Sequence, residues 1–202
     1  MYSRLAGPAT LLIEGRTETP KNLTRAFSLA CLGVRRGCIH CLGVLARCYY
    51  GGFGCHVDEL LAEFLAKKSA SAGSRYGYFV LGNLAYKKNH LYIAKRYWQN
   101  AANLGLAVAQ VNLAKLYLNE AEAIKCERSH GNVSERARLD IFFLEEDAFE
   151  LLFTASISGH PIAWQELGLM YMRGTYVPLN MRIASICFMR SRRAGNEELL
   201  LT

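Results

Sequence analysis

The feature that most constrains this chain is a spacing. An alanine is followed eleven residues later by a glycine at five places: Ala26/Gly37, Ala62/Gly73, Ala94/Gly105, Ala148/Gly159 and Ala184/Gly195. Eight residues beyond the glycine stands a leucine (Leu45, Leu81, Leu113, Leu167), and a small residue follows each one (Ala46, Gly82, Ala114, Gly168). Three residues further on come Tyr49, Ala85 with Tyr86 beside it, Tyr117 and Tyr171. Successive alanines are 36, 32, 54 and 36 residues apart. Self-similarity at this period predicts a stacked array of helical hairpins, because a single hairpin cannot bury its apolar face without a neighbour.

Each position in the pattern has a physical task. The glycine ends a helix, since it enters the left-handed conformation without a Cβ clash. The small residues let helix axes approach, and the leucines and tyrosines fill the space beside the contact. Four residues before the alanine stand Asn22, Asp58 and Asn180, whose side chains suit an N-cap. His90 and Leu144 hold that place in the other two units, so capping differs there. No stretch alternates apolar and polar residues in the manner of a strand, so the chain reads as all-α.

The segments "LARCYYGGFGCHVDELLAEFLAKKSASAG" (Leu45 to Gly73) and "LGLMYMRGTYVPLNMRIASICFMRSRRAG" (Leu167 to Gly195) carry a leucine-glycine-like start, a tyrosine, a Gly-x-Gly-like turn, a helix with a central alanine and a closing glycine. In this the chain resembles the Sel-one-like repeat family, short-hairpin relatives of the tetratricopeptide repeats. The likeness runs from residue 12 to residue 195. Departures are Tyr176 in place of the second turn glycine, a shortened turn at Lys87–His90, leucines at 29 and 65 where the family favours tryptophan, and 18 extra residues before Ala148. The resemblance implies a right-handed α/α superhelix and a role as a protein–protein interaction scaffold or adaptor, with a concave surface lined by the first helices. It also implies that bridges between cysteines of adjacent helices are compatible with the fold.

At 202 residues the chain is expected to form one solenoid. Residues 1–37 make a partial first hairpin. Residues 38–73, 74–105, 106–159 (with an insertion at 119–140) and 160–195 make four more, and 196–202 is a C-terminal stub. Within these, "GRTETPKN" reads as a turn, and Ser134 is placed to cap a long helix that starts at Glu135. Leu106 opens a helix reaching about Cys126, and "ERSHGN" reads as a loop.

Net charge is +7 with a pI near 9.1, which favours acidic partners or a basic seat in a larger assembly. Arg35-Arg36 and Arg192-Arg193 also stand where they complement helix C-termini. No apolar run reaches the roughly 18 residues that span a bilayer. The N-terminal stretch lacks an apolar core followed by a cleavage site, so an intracellular setting is expected, cytoplasmic or mitochondrial rather than secreted. The alternative function is a structural or assembly subunit of a large organellar complex, mitochondrial or ribonucleoprotein, with nucleic acid contacted only indirectly.

Candidate chemistry is sparse. Cys31, Cys38, Cys41, Cys48 and Cys55 cluster with His40 and His56, and a zinc site from Cys38, Cys41, Cys55 and His56 can be drawn. However, Cys41 falls in the small-residue register where other units have Gly77, Ala109 and Ala163, which favours packing. "GGFG" (Gly51 to Gly54) lacks the lysine and hydroxyl residue of a phosphate loop. No nucleophile–base order is visible, so no enzyme and no cofactor is expected. Exposed positions do not repeat a polar code of the RNA-reading solenoids. The least repeat-like segment is 119–140, a mixture of charges with Ile124, Val133 and Leu139. Glu122, Lys125, Arg128, Arg136 and Arg138 are its candidate partner-binding residues. Ala62, Gly73, Ala94, Gly105, Tyr117, Ala148, Gly159, Gly168, Tyr171 and Ala184 are the structural ones.

Overall fold

The structure, a computed structural model, describes residues 6–14, 22–127 and 134–195. Among them are ten α-helices and no strand. They are α1 (Ala6–Glu14), α2 (Leu23–Arg35), α3 (Ile39–Gly51), α4 (Glu59–Ser71), α5 (Arg75–Lys87), α6 (Leu91–Asn103), α7 (Ala107–Glu127), α8 (Glu135–Ile157), α9 (Pro161–Arg173) and α10 (Met181–Arg193). Odd-numbered helices are the first of each hairpin and even-numbered helices the second. Two compact units result, α1–α6 up to Leu106 and α7–α10 from Ala107. Most of the "GRTETPKN" turn, the "ERSHGN" loop beyond Glu127 and the C-terminal stub lie outside the described residues.

Local chemistry explains where the helices begin. Asn22 Oδ1 accepts from the Arg25 amide at 2.9 Å and Asp58 Oδ1 from the Leu61 amide at 2.9 Å. Asn180 Oδ1 accepts from the amides of Arg182 and Ile183, both at 3.1 Å. Ser134 caps α8 by accepting from the Ala137 amide at 3.3 Å. Each bond satisfies an amide that the first helical turn leaves without a partner. At Leu144 no cap is needed, because α8 passes straight through that position.

One device ends α2, α4, α5, α6 and α8, whereas α3 and α9 stop at Gly52 and Gly174 with the cap amide bonded to Cys48 O and Met170 O. After α6 the chain turns left-handed at Gly105 (φ +74°), with Leu106 N–H donating to Ala101 O at 3.1 Å and Gly105 N–H to Ala102 O at 2.8 Å. This pair of bonds is a Schellman motif. It recurs after α2, α4 and α8, and also after α5, where the residue in the left-handed position is Asn89 (φ +59°). There His90 N–H donates to Ala85 O and Asn89 N–H to Tyr86 O, both at 2.9 Å. The shortened turn therefore keeps the same stop signal but spells it with asparagine, the side chain that best tolerates this region after glycine. Tyr176 is the other non-glycine residue in that region (φ +62°), at the place of Gly54. Its ring lies 5.4 Å from that of Phe142 and 5.5 Å from that of Phe149, and its hydroxyl donates to Glu146 at 3.1 Å. Aromatic packing on α8 offsets a backbone cost of roughly 1–2 kcal/mol.

Packing in the first unit runs through close contacts between helix backbones. Gly77 on α5 faces α4 so closely that an added Cβ would lie 2.6 Å from the Ala70 amide nitrogen and 2.8 Å from Ala66 O. Gly82, one turn and a half further on, leaves room for the Trp98 indole of α6, whose Nε1 donates to Asn83 Oδ1 at 3.0 Å. Ala26, Ala30, Ala62, Ala66 and Ala94 are fully buried along the same seam. At the rim, Glu63 of α4 pairs with Lys67 at 2.7 Å and with Lys88 at 3.1 Å, and Glu59 pairs with Lys87. The two lysines hold the Glu63 carboxyl below its usual range. A depressed carboxylate supports the fold above its unfolded pKa, and that support is lost as pH falls through the folded value.

In the second unit, α7 packs along α8, α8 against α9 and α9 against α10. Ala148, Leu152, Ala155, Leu167 and Ala184 are buried there, and Gly168 makes room for the Phe188 ring. The extra residues before Ala148 are absorbed as additional turns of α7 and α8. The turns carry their own buried small residues, Ala121 and Ala137.

Two substitutions test this account. Ala94→Leu should overpack the α5–α6 seam and cost about 1–3 kcal/mol. Asn89→Gly should raise stability by roughly 0.5 kcal/mol, whereas Asn89→Val should lower it by about 1–2 kcal/mol, because a β-branched side chain clashes in the left-handed region. Urea unfolding followed by circular dichroism reads both, and an unchanged midpoint for Ala94→Leu would refute the seam.

Candidate functional site

The second unit carries a cleft of about 400 Å³ between α7, α8 and α9. Three helices supply its walls for a sequence reason. α7 continues past its repeat tyrosine, so Leu118, Asn119, Glu122 and Lys125 extend along one side. α8 contributes Glu145, and α9 contributes Glu166, Leu169, Met170 and Arg173, with Thr175 from the turn that follows. Three of the lining residues, Leu118, Leu169 and Met170, are apolar and the rest are polar or charged.

The electrostatics are uneven. Glu145 is only 7% exposed, yet it stands three residues before the buried Ala148 on the apolar side of α8. Lys125 Nζ donates to its Oε1 at 2.6 Å and lies 3.8 Å from Glu122. Glu166 is paired with Lys115 at 3.2 Å. A buried carboxylate is tolerated only with a partner of this kind. Arg173 is exposed at the lip and has no ion pair among the described residues. The cleft therefore offers three apolar side chains, two carboxylates paired with lysines, and one guanidinium that has no ion pair among the described residues.

No family model matches the sequence, and no curated protein does. Among solved structures, a Sel1 repeat protein from Oxalobacter formigenes superposes with a TM-score of 0.60 at 16% identity over 97% of this chain and 72% of that one. The chain has the Sel-one-like repeat fold. An immunity protein from Pseudomonas aeruginosa superposes with a TM-score of 0.58 at 23% identity, over 94% of this chain and 64% of its own length. A second Pseudomonas aeruginosa protein gives 0.56 at 21% identity, over 94% of this chain and again 64% of the other.

Within the Sel-one-like repeat framework, the sequence-derived candidates fall into three groups. Glu122 and Lys125 line the cleft, although Lys125 is engaged by Glu145 inside the hairpin. Arg136 and Arg138 are exposed on the first turns of α8 and do not line the cleft. Arg128 lies outside the described residues, as does Val133. Ile124 is half-buried and Leu139 exposed. Of the structural residues, Tyr117 is buried, and Tyr171 is half-buried with its ring edge-on to Phe149 at 6.2 Å. Sequence reasoning missed Glu145, Glu166 and Arg173. A signal existed for Glu145, a carboxylate in register with the buried face of α8, whose other members are small or apolar.

The cysteines are seven free thiols in this structure. Cys41 and Cys48 are fully buried, and burial pushes both thiols up to about 12, with the neighbouring Cys38 thiol adding to the effect at Cys41. Cys38 has a task that its spacing did not show: it is the N-cap of α3, its Sγ accepting from the Cys41 amide at 3.3 Å. Burial also raises Cys31, Cys55 and Cys187. The described residues contain no group of three or more His, Cys, Asp or Glu arranged to hold a metal ion. No described helix is long and apolar enough to cross a membrane.

Two measurements follow. Lys125→Ala should destabilise the protein by about 1–3 kcal/mol, because it strands the Glu145 carboxylate, and the double change with Glu145→Gln should recover most of that loss. At pH 8 a maleimide should modify the exposed Cys126 in the native protein, whereas Cys41 and Cys48 should react only after unfolding. Fast native labelling of Cys48, read by peptide mass spectrometry, would contradict its placement in the core.

Proposed function

We propose that this protein is a non-catalytic protein–protein interaction scaffold, and that the α7–α8–α9 cleft receives a segment of its partner. The observation that carries this reading is the cleft itself, with Leu118, Leu169 and Met170 beside paired charges and with Arg173, which has no ion pair among the described residues. A pocket of this volume suits a few side chains of an inserted peptide. Arg173 favours a segment bearing a carboxylate, since a guanidinium forms charge-assisted bonds with that group. The fold it shares with Sel-one-like repeat proteins supports a binding role, and the extension of α7, through Asn119, Glu122 and Lys125, supplies one wall.

A photo-reactive amino acid placed at Thr175 or Asn119 of the full chain, in the cells that make it, should cross-link the same partner from both positions. Arg173→Glu should abolish that cross-link while leaving helicity intact. Replacing residues 119–140 with a short Gly/Ser turn, together with Glu145→Gln so that no carboxylate is stranded, should also abolish the cross-link from Thr175, with helicity reduced only by the turns removed. A partner captured equally well by the wild type and by both variants would show that the cleft is not the binding site.

A further inference from the structure

The second unit carries two unpartnered helix faces of opposite character. On α8 the buried residues are Ala137, Glu145, Ala148, Leu152, Ala155 and Ser156. At 100° per residue, the opposite side is the row Leu139, Phe143, Glu146, Glu150, Phe153 and Ile157, spaced 4, 3, 4, 3, 4. Such spacing is the seam that one helix offers to another. Its apolar members are open to solvent, with Phe143 56%, Phe153 50% and Ile157 70% exposed. From Leu139 onward α8 has five acidic residues and no lysine or arginine.

On α10 the buried residues are Ala184, Cys187 and Ser191. The row pointing away from them is Arg182, Ile186, Met189 and Arg193, spaced 4, 3, 4. Ile186 and Met189 are 44% and 53% exposed. α10 carries four arginines and no acidic residue. Arg190 lies over the Trp164 ring at 4.7 Å. Among the described residues, Arg182, Arg192 and Arg193 have no ion pair, and neither do Asp140, Asp147 and Glu150.

The two seams spell complementary words. Read in the same direction with Glu150 opposite Arg182, Ile157 falls level with Met189 and Phe153 within one residue of Ile186, so acid lies against base and apolar against apolar although the spacings are 3, 4 and 4, 3. Pairing α8 with another α8 would oppose glutamates, and pairing α10 with another α10 would oppose arginines. Like charges at such a contact are strongly disfavoured. Both helices are the second of their hairpin and run the same way. A two-fold axis parallel to them would lay each over the other's copy.

We propose that the chain pairs with a second copy of itself, α8 of one protomer packing along α10 of its partner and the reverse, with Glu150 facing the partner's Arg182 across an apolar strip. One chain carries both halves of the complementary pair, which selects a second copy over a foreign partner.

The test uses the full chain in sedimentation velocity from about 1 to 100 μM at low and high salt. The wild type should show a concentration-dependent dimer that weakens as salt is raised. Glu150→Lys and Arg182→Glu should each weaken dimerisation by about tenfold or more. Mixed in equal amounts, the two variants should form a heterodimer, since each reversed face then meets its reversed mate. Phe153→Asp should also dissociate the dimer, with no rescue on mixing. All three positions are exposed, so unchanged circular dichroism is expected for each. A monomeric wild type over the whole range would overturn the proposal. So would a dimer indifferent to both charge reversals, or single variants that fail to recover on mixing.

Discussion

Helices in this protein pack at the distance of their backbones, and the rest of the architecture depends on that approach. At Gly77 the α4 main chain sits where a side chain would otherwise be. At Gly82 and Gly168 the space is taken by a ring from the partner helix, Trp98 or Phe188. The size of one residue is thus matched to its mate. Where the second helix carries a bulky ring, the first helix has glycine. Interiors packed at crystal-like density leave no slack for a mismatch, which explains why alanines and glycines recur in phase over so long a stretch.

That close packing needs abrupt, reproducible helix ends, since a helix running one turn too far would carry its neighbour out of register. The Schellman motif provides the stop, and its geometry matters more than its residue: Gly105 and Asn89 close the same pair of hydrogen bonds. Tyr176 is not a helix stop, since Gly174 closes α9; in the turn that follows, contacts to Phe142, Phe149 and Glu146 hold a bulky residue in a region it would not choose alone. The same cluster ties the α9–α10 turn to α8, so the strained position also organises the exposed aromatic side of the second unit.

The proposed cleft lies beside the longest departure from this pattern. Lengthening α7 beyond the repeat adds a wall to the groove beside α9, and it brings Lys125 within reach of a carboxylate that the core could not otherwise accept. Glu145 and Glu166 are paired there with lysines, which leaves Arg173 at the lip without an ion pair among the described residues. On the outer side of the same unit, α8 and α10 separate acid from base. The exposed rows of α8 and α10 lie opposite the faces that these helices bury, as expected when one face of each helix is committed to the seam.

Much of this was legible in the residues, because the determinants were local. A glycine eleven residues after an alanine, an asparagine or aspartate four before it, and a leucine-small pair eight beyond act through the backbone within a turn or two. Their chemistry is therefore written in spacing, and the helix boundaries, the caps at Asn22, Asp58, Asn180 and Ser134, and the long α7 and α8 all followed from it. What depended on distant contacts was not legible. The pairing of Lys125 with Glu145 spans 20 residues, and the cleft joins three helices from two hairpins. The sulfur cap at Cys38 looked like part of a metal-ligand spacing until its geometry placed it at the start of a helix. A one-dimensional pattern reports which face of a helix is buried, but only the packed helices decide which charges meet across a groove and which remain free at its lip, since Coulomb and hydrogen-bond energies fall off over a few ångströms of real separation.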